Sequence, residues 1–283
     1  DWSGVCILYN KYWDSRAKVH LAGKPVPVRI NEGTEFSIKQ QISKNIFWLQ
    51  LPVSPELAAK LKKTGSFIFI RKYGDPEFYH FPVGIMKIRD NILEVVVDAT
   101  GPKSAKIFGD NNRKLMIRGP YYNGVLGQPW LDNLTAGNVI LVAGGMGQAL
   151  TITIAEQLRK NGNTVRAILA PGHIGQVFVE SELQKLGLKI SVVSSLRKNG
   201  LPLLYEWLKE NPDLLVSSGP DEQHNGLIIA LQSVGINIPM AATNNAVMCC
   251  GEGICGSCQK ETRSGQKVRT CKVQTRYVEL IND

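Results

Sequence analysis

Near its C-terminus the chain reads Met248-Cys249-Cys250-Gly251-Glu252-Gly253-Ile254-Cys255-Gly256-Ser257-Cys258, and Cys271 follows the stretch Gln259 to Thr270. Counted from Cys250 this is C-x4-C-x2-C-x12-C, the spacing of a four-thiolate [2Fe–2S] site. A two-iron core needs three thiolates from one tight loop and a fourth from a returning segment. Gly251, Gly253 and Gly256 suit that loop, because the backbone must bend sharply, often at positive φ. Its amides can also hydrogen-bond to the sulfurs and so help set the potential. Such a cluster moves single electrons, so the motif points to a redox system.

A structural zinc site is the competing reading. Zinc usually takes paired C-x2-C knuckles, and here only Cys255 and Cys258 form one. Disulfides fit poorly, since the cysteines crowd together and no secretory signal precedes them. Cys249 blurs the register, but C-x4-C from Cys250 matches the plant-type spacing and C-x5-C from Cys249 does not. Cys6 stands alone, as a packed apolar side chain does.

The chain has 283 residues, enough for two domains with cores of their own. Hydrophobic content of 43% and charged content of 20% are those of a globular protein. No apolar run approaches membrane-spanning length. Six cysteines gathered mainly near the C-terminus suggest a metal site in a reducing compartment, hence a cytoplasmic location. The net charge of +9 suits an acidic protein partner such as a ferredoxin. No basic stripe with interleaved aromatics argues for nucleic acid. The first residue is Asp1 rather than Met, which reads as a fragment or a processed form.

Residues 1–30 are irregular and rich in Trp and Tyr. Residues 31–125 carry short strand patterns: Phe36 to Gln40, Asn45 to Leu51, Ser66 to Ile70, Pro82 to Met86, Ile92 to Val97 and Lys114 to Ile117. With turn signals between them they predict a small antiparallel β-barrel, with a short helix at Pro55 to Lys62. Over 126–243 the rhythm becomes β-α-β. Apolar strands at Asn138 to Ala143, Thr164 to Ala170, Leu188 to Val193, Asp213 to Ser218 and Pro239 to Thr243 alternate with helical segments, which predicts an open parallel α/β sheet. Residues 244–283 form the cysteine domain.

Gly144-Gly145-Met146-Gly147 follows the first buried strand and opens a helix, where free amides favour a phosphate. It is G-G-x-G rather than the full dinucleotide fingerprint, so a plain strand-to-helix turn competes with a pyridine-nucleotide site. Ser218, Gly219 and Pro220 end the fourth strand, where ligands of such sheets sit. Gly101, Lys103 and Ser104 lie in a loop suited either to a diphosphate or to plain solvation.

The order barrel, nucleotide sheet and cysteine loop, with Gly144 to Gly147, Ser218 to Pro220 and Cys250 to Cys271, resembles the ferredoxin-reductase superfamily. The chain is similar to one branch of it: the electron-transfer subunit of bacterial dihydroorotate dehydrogenase, sulfide dehydrogenase, and the small flavin subunit of NADH-dependent ferredoxin:NADP reductase. The resemblance covers Thr34 to the C-terminus, and the cysteine loop is its specific part. It implies FAD in the barrel, NAD(P) on the sheet and a [2Fe–2S] cluster on Cys250, Cys255, Cys258 and Cys271. It also implies hydride transfer to flavin, single electrons to the cluster and work within a complex.

The chain departs from that pattern in several places. The family's flavin motif has an arginine shortly before a proline and a Ser or Thr two residues after it. Here the matching stretch is His80-Phe81-Pro82-Val83-Gly84, so the diphosphate clamp and the hydroxyl near flavin N5 are both missing. His80 is left as a partial phosphate donor, and Phe81 as a packing residue for the flavin. Lys103 and Ser104 match the second phosphate turn better. Asn245 stands where the family often has an acid, and Leu150 where the glycine loop usually leads to proline. Pro171-Gly172-His173 after the second strand has no arginine for a 2′-phosphate, which favours NAD over NADP. Two functions follow: an NAD(P)H-linked electron-transfer oxidoreductase, or a cluster-bearing sensing or interaction module that has lost flavin turnover. His20, His80, His173 and His224 are spaced as residues serving local hydrogen bonds.

Overall fold

The computed structural model describes residues 29–281, and the aromatic N-terminal segment, Cys6 and His20 lie outside them. The chain begins with β1 (Ile30–Glu35), β2 (Ser37–Ser43) and β3 (Ile46–Pro52). Helix α1 (Pro55–Lys60) follows, for local reasons: Pro55 starts it, and the Ser54 hydroxyl accepts from the Leu57 amide at 3.3 Å. Strands β4 (Phe67–Lys72), β5 (Phe81–Gly84), β6 (Lys87–Arg89) and β7 (Ile92–Asp98) come next, then the short helix α2 (Pro102–Ala105) and β8 (Lys114–Tyr121).

These strands form two antiparallel sheets, in the orders β1-β8-β4-β5 and β2-β3-β7-β6. The expected strands are present, but they do not close into a barrel. The chain crosses from one sheet to the other at Phe36 and at Ile85–Met86, where the ladders stop. Only isolated bonds mark these corners, among them Phe36 N–H to the Arg113 carbonyl at 2.9 Å and Met86 N–H to the Glu94 carbonyl at 3.0 Å. The corner side chains are buried, and burying them turns the strands inward instead of extending the pairing. Leu49, Leu51, Ile68, Ile70, Leu93, Val95, Leu115 and Ile117 fill the space between the sheets.

Strand β9 (Val125–Leu126) and helix α3 (Gln128–Asn133) lead into β10 (Asn138–Gly144), α4 (Thr151–Lys160), β11 (Thr164–Ala170), α5 (Glu180–Lys185), β12 (Lys189–Val192), α6 (Leu201–Leu208), β13 (Leu214–Ser218), α7 (Asp221–Ser233) and β14 (Met240–Thr243). They build a six-stranded sheet in the order β12-β11-β10-β13-β14-β9, parallel except at the β9 edge. Strand β10 shows why its apolar run is continuous. Val139, Leu141 and Ala143 meet α4 and α5 on one face, while Ile140 and Val142 meet α6 and α7 on the other.

The second antiparallel sheet packs against this unit through shared apolar residues, including Trp48, Met86 and Val96. Lys87 and Glu182 add a mostly buried ion pair across the same junction. Finally β15 (Gln259–Thr262), β16 (Lys267–Arg269) and β17 (Leu280–Ile281) make a small antiparallel sheet in the order β16-β15-β17. Among the described residues, no helix is long and apolar enough to cross a membrane.

Candidate functional site

The cysteine loop leaves β14 and returns through the β15–β16 hairpin. That hairpin explains the long last spacing: Gln259 pairs with Arg269, and Thr270 N–H donates to the Cys258 carbonyl at 3.2 Å, which brings Cys271 back beside Cys258. Gly251 has φ +67, and a Cβ there would meet the Tyr121 ring at 2.6 Å, so only glycine lets the loop lie flat on that ring. Cys250, Cys258 and Cys271 are buried. Cys255 meets the thiols of Cys249 and Cys250, and Cys258 meets that of Cys271. Among the described residues, no three metal-ligating side chains converge on a single ion.

The donor set around the sulfurs is informative. Glu252 N–H donates to Cys250 Sγ at 3.3 Å, the amides of Ile254 and Cys255 also act on it, and the Gly253 amide acts on Cys271. Amides aimed at sulfur stabilise thiolates, so these residues fit a thiolate-ligated cluster. Proton sharing pushes Cys250 and Cys271 up. The thiols that accept are pushed down: Cys255 by Cys249 and then Cys250, and Cys258 to about 7 by Cys271.

A charged clamp holds this loop to the first sheet. Arg29 grips the Glu252 carboxylate with two nitrogens, at 2.6 and 2.8 Å, and Lys272 adds a third contact at 2.9 Å. Burial opposes the charge on Glu252, but these cations outweigh it and hold the carboxyl below its ordinary value. Arg29 also lies over the Tyr121 ring at 4.2 Å.

Strand β5 carries the flavin-type stretch at a sheet edge, where Pro82 costs no ladder bond. Phe81, Pro82, Val83 and Gly84 pair with Ile70, Phe69, Ile68 and Phe67. His80, at the start of the strand, is buried, and its Nε2 bonds the Cys249 carbonyl at 2.8 Å. A carbonyl only accepts, so Nε2 carries the proton. Burial pushes this histidine down to about 4, aided by Arg118, Lys103 and Arg71. His80 is therefore neutral, with its donor committed to the cysteine loop and only an acceptor nitrogen left for anything else.

Lys103 Nζ donates to the His80 carbonyl at 3.3 Å, while the Ser104 hydroxyl turns back to the Gly101 carbonyl at 3.2 Å. Arg71, Lys103 and Arg118 are all close enough to act on the charge of His80, and Arg118 also lies 3.7 Å from the Glu252 carboxylate. At the other end of β5, Gly84 faces Leu150 of the glycine turn.

Gly145 to Leu150 form a 3₁₀ turn, and regular helix begins at Thr151 rather than at Ala149. A Cβ on Gly147 would come 2.1 Å from the Ser218 carbonyl oxygen, so this glycine exists for contact between two turns. Ser218 Oγ donates to the Gly147 carbonyl at 2.6 Å, and Thr243 bridges to both polar groups of the Gly219 backbone. Asn245, at the expected acidic position, donates to the Gly219 carbonyl at 2.7 Å and to Asp221 at 3.0 Å.

Gly144, Gly145, Gly147, Gly219 and Pro220 line a cavity of about 1000 Å³ at the carboxyl ends of the parallel strands. His173, Arg197, Thr243 and Asn245 also line it. Arg197 and Thr243 were not singled out in the sequence; only the fold brings them to this wall. His224 sits fully buried beneath, with Ser217 Oγ at 2.6 Å from Nδ1 and the Thr243 carbonyl at 3.0 Å from Nε2.

No family profile matches the chain. It is 26% identical over 201 residues to the dihydroorotate dehydrogenase B (NAD(+)) electron-transfer subunit of Clostridium perfringens, covering 68% of this chain and 76% of that one. It is 25% identical over 244 residues to the probable counterpart from Methanopyrus kandleri, covering 83% and 84%. Among solved structures, an NADH-dependent reduced ferredoxin–NADP oxidoreductase shares the fold with a TM-score of 0.71 at 22% identity, covering 88% of this chain and 89% of that one. The FAD apo form of the ferredoxin reductase of carbazole 1,9a-dioxygenase follows at 0.55 and 14%, covering 75% and 66%.

Fold and relatives agree on the class: the chain has the fold of the ferredoxin reductases, and its sequence is similar to oxidoreductase electron-transfer subunits. Those relatives are, by name, electron-transfer subunits of the dihydroorotate dehydrogenase B type.

Proposed function

We propose that the chain is an electron-transfer flavo-iron–sulfur subunit working between NAD(P)H, FAD, a [2Fe–2S] cluster and a partner protein. The observation that carries this reading is the position of β5. One end of this strand is tied to the cysteine loop through His80 and Cys249, and the other end touches the turn of the nucleotide cavity through Gly84 and Leu150. A cofactor on this strand lies between the two other sites.

In this reading Cys250, Cys255, Cys258 and Cys271 ligate the cluster, and backbone amides neutralise their charge. The cavity wall from Gly144 to Gly147, with Gly219 and Pro220, receives the pyridine nucleotide, and buried Ser218 braces the glycine turn from behind. Residues 31–125 hold FAD, with Phe81 to Gly84 along its edge and Lys103 toward its diphosphate. Together these groups supply hydride donation, conversion of an electron pair to single electrons, and one-electron exit. The lip of the cysteine loop is open: Val247 is 72% exposed, and Ser257 beside Cys255 is exposed too. That opening suits electron exchange with a partner, and subunit partnership is what the relatives' names describe.

The test is reduction of an artificial electron acceptor by NADH or NADPH, using protein reconstituted with FAD. Turnover that depends on FAD supports the proposal. A second reading, a cluster module without flavin turnover, has its own support: Leu150 fills the space beside Gly84, and His80 offers no donor to a phosphate. Protein that retains iron, rejects FAD and shows no turnover decides for that reading.

A further inference from the structure

We infer that Arg29 and Arg118 raise the reduction potential of a two-iron cluster held by the cysteine loop, and that Glu252 lowers it, so that buried charges outside the ligand set bias electrons toward the cluster. The inference rests on the cluster reading of the cysteines and deepens it.

Glu252 stands two residues after Cys250 and connects the sulfur to the charges. Its amide donates to Cys250 Sγ at 3.3 Å, and its carboxylate is held by Arg29 at 2.6 and 2.8 Å and by Lys272 at 2.9 Å. Arg118 lies 3.7 Å from the same carboxylate, too far to grip it. Little solvent enters this layer. The loop rests on the rings of the first sheet, where a Cβ on Gly251 would come 2.6 Å from Tyr121 and 3.0 Å from Phe69. Those rings meet edge to face at 4.9 Å, and both are buried. The side chains of Arg29 and Arg118 are only 12% and 10% exposed, and Cys250 and Cys271 are buried as well. Lys272 follows Cys271 and packs its stem under the loop, where a Cβ on Gly253 would meet its Cγ at 2.9 Å, but its amine is more exposed.

Three cations thus face one carboxylate. Fastening the loop needs only the contacts of Arg29 and Lys272. Arg118 is a buried positive charge that fastening does not explain. One-electron reduction of a [2Fe–2S] cluster turns one ferric ion ferrous and makes the group one unit more negative, with no bond formed or broken. Fixed positive charge favours the more negative form, and a buried charge is screened much less than an exposed one. A guanidinium keeps its proton, so neither arginine escapes this role. A cluster made easier to reduce draws electrons from the flavin outward to the exposed lip.

The test is a redox titration of the full chain, loaded anaerobically with iron and sulfide and reduced by dithionite with mediators, with the reduced cluster read by electron paramagnetic resonance. Arg29→Gln and Arg118→Gln should each lower the equilibrium constant for reduction by about tenfold, a fall of about 59 mV for a one-electron couple. Lys272→Gln should lower it by less, and Arg118→Lys should keep most of the parent value. Glu252→Gln should raise it. The opposite signs of Glu252→Gln and Arg118→Gln separate a charge effect from a loosened loop, because loosening shifts both the same way. Potentials that equal the parent's in these two variants, or that move in one direction, overturn the inference and leave the cluster standing. Should an arginine variant lose its iron, the signs for Lys272→Gln and Glu252→Gln decide in the same manner. A parent chain that takes up zinc in place of iron, or gives no signal of a reduced two-iron cluster, removes the cluster reading and this inference with it.

Discussion

Leu150 occupies the side-chain space of Gly84: a Cβ built on Gly84 would come 2.7 Å from Leu150 Cδ2 and 3.3 Å from its Cγ. Two departures from the family pattern, far apart in sequence, are thus a single contact in space. Loss of a hydroxyl at one position and of a proline at the other go together, because the larger residue needs the smaller one.

Restoring the hydroxyl alone should therefore harm the protein. Gly84→Ser forces Leu150 aside and should cost about 1–3 kcal/mol, as overpacking does. Combining it with Leu150→Ala should recover most of that loss. Urea denaturation of the two single variants and the double variant measures the coupling. A Gly84→Ser protein as stable as the parent contradicts the contact.

The adjacent cysteines should behave differently. Cys250 is buried and receives the Glu252 amide, whereas Cys249 contributes its backbone carbonyl to His80. A serine at 249 keeps that carbonyl. Cys249→Ser should retain bound iron and Cys250→Ser should lose it, as read by metal analysis of anaerobically purified protein. The reverse pattern would move the ligand by one position.

The clamp on Glu252 should govern how firmly the loop is held. Its side chain is 15% exposed and that of Arg29 is 12% exposed, so removing the carboxylate leaves cations partly desolvated. Glu252→Ala should cost about 2–3 kcal/mol, at the lower end for a broken buried pair because some solvent reaches it. Thermal melts combined with the rate of iron loss to a chelator report both effects. A melt unchanged from the parent removes the clamp from the account.

Stability should fall as the solution is acidified, through His224. Burial pushes this histidine down to about 4, against the pull of Asp221, from an ordinary value of 6.5. The unfolded chain then binds the proton more readily than the folded one. The stabilisation is complete above the unfolded value and is lost as pH falls toward the folded value, by up to about 1.4 kcal/mol per pH unit. Denaturant titrations from about pH 7 to about pH 5 should show this slope, to which buried His80 adds a like share, and His224→Gln should reduce it by about half.

Much of this architecture was legible because the signals are local. The apolar run of β10 announces a strand covered on both faces, and the spacing from Cys258 to Cys271 matches a hairpin that returns the chain. The open seams of the antiparallel sheets were not legible. Phe36 and Ile85 read as strand residues until their burial at corners is seen. Strand β9 is too short to carry a period. His80 looked like a weak substitute for arginine, yet its partner is the Cys249 carbonyl, 169 residues away. Arg197 joins the wall of the same cavity as the glycine turn only through sheet order, which no local pattern encodes.

The central claim is that one chain joins a two-iron cluster and a flavin to a pyridine nucleotide. Its most direct test is a visible spectrum of anaerobically purified protein, with iron, zinc and FAD quantified on the same sample, before and after addition of NADPH or NADH. The account predicts about two irons and about one FAD per chain, with flavin and cluster bands that bleach on reduction. Zinc in place of iron, or cluster bands that neither nucleotide bleaches, would contradict it.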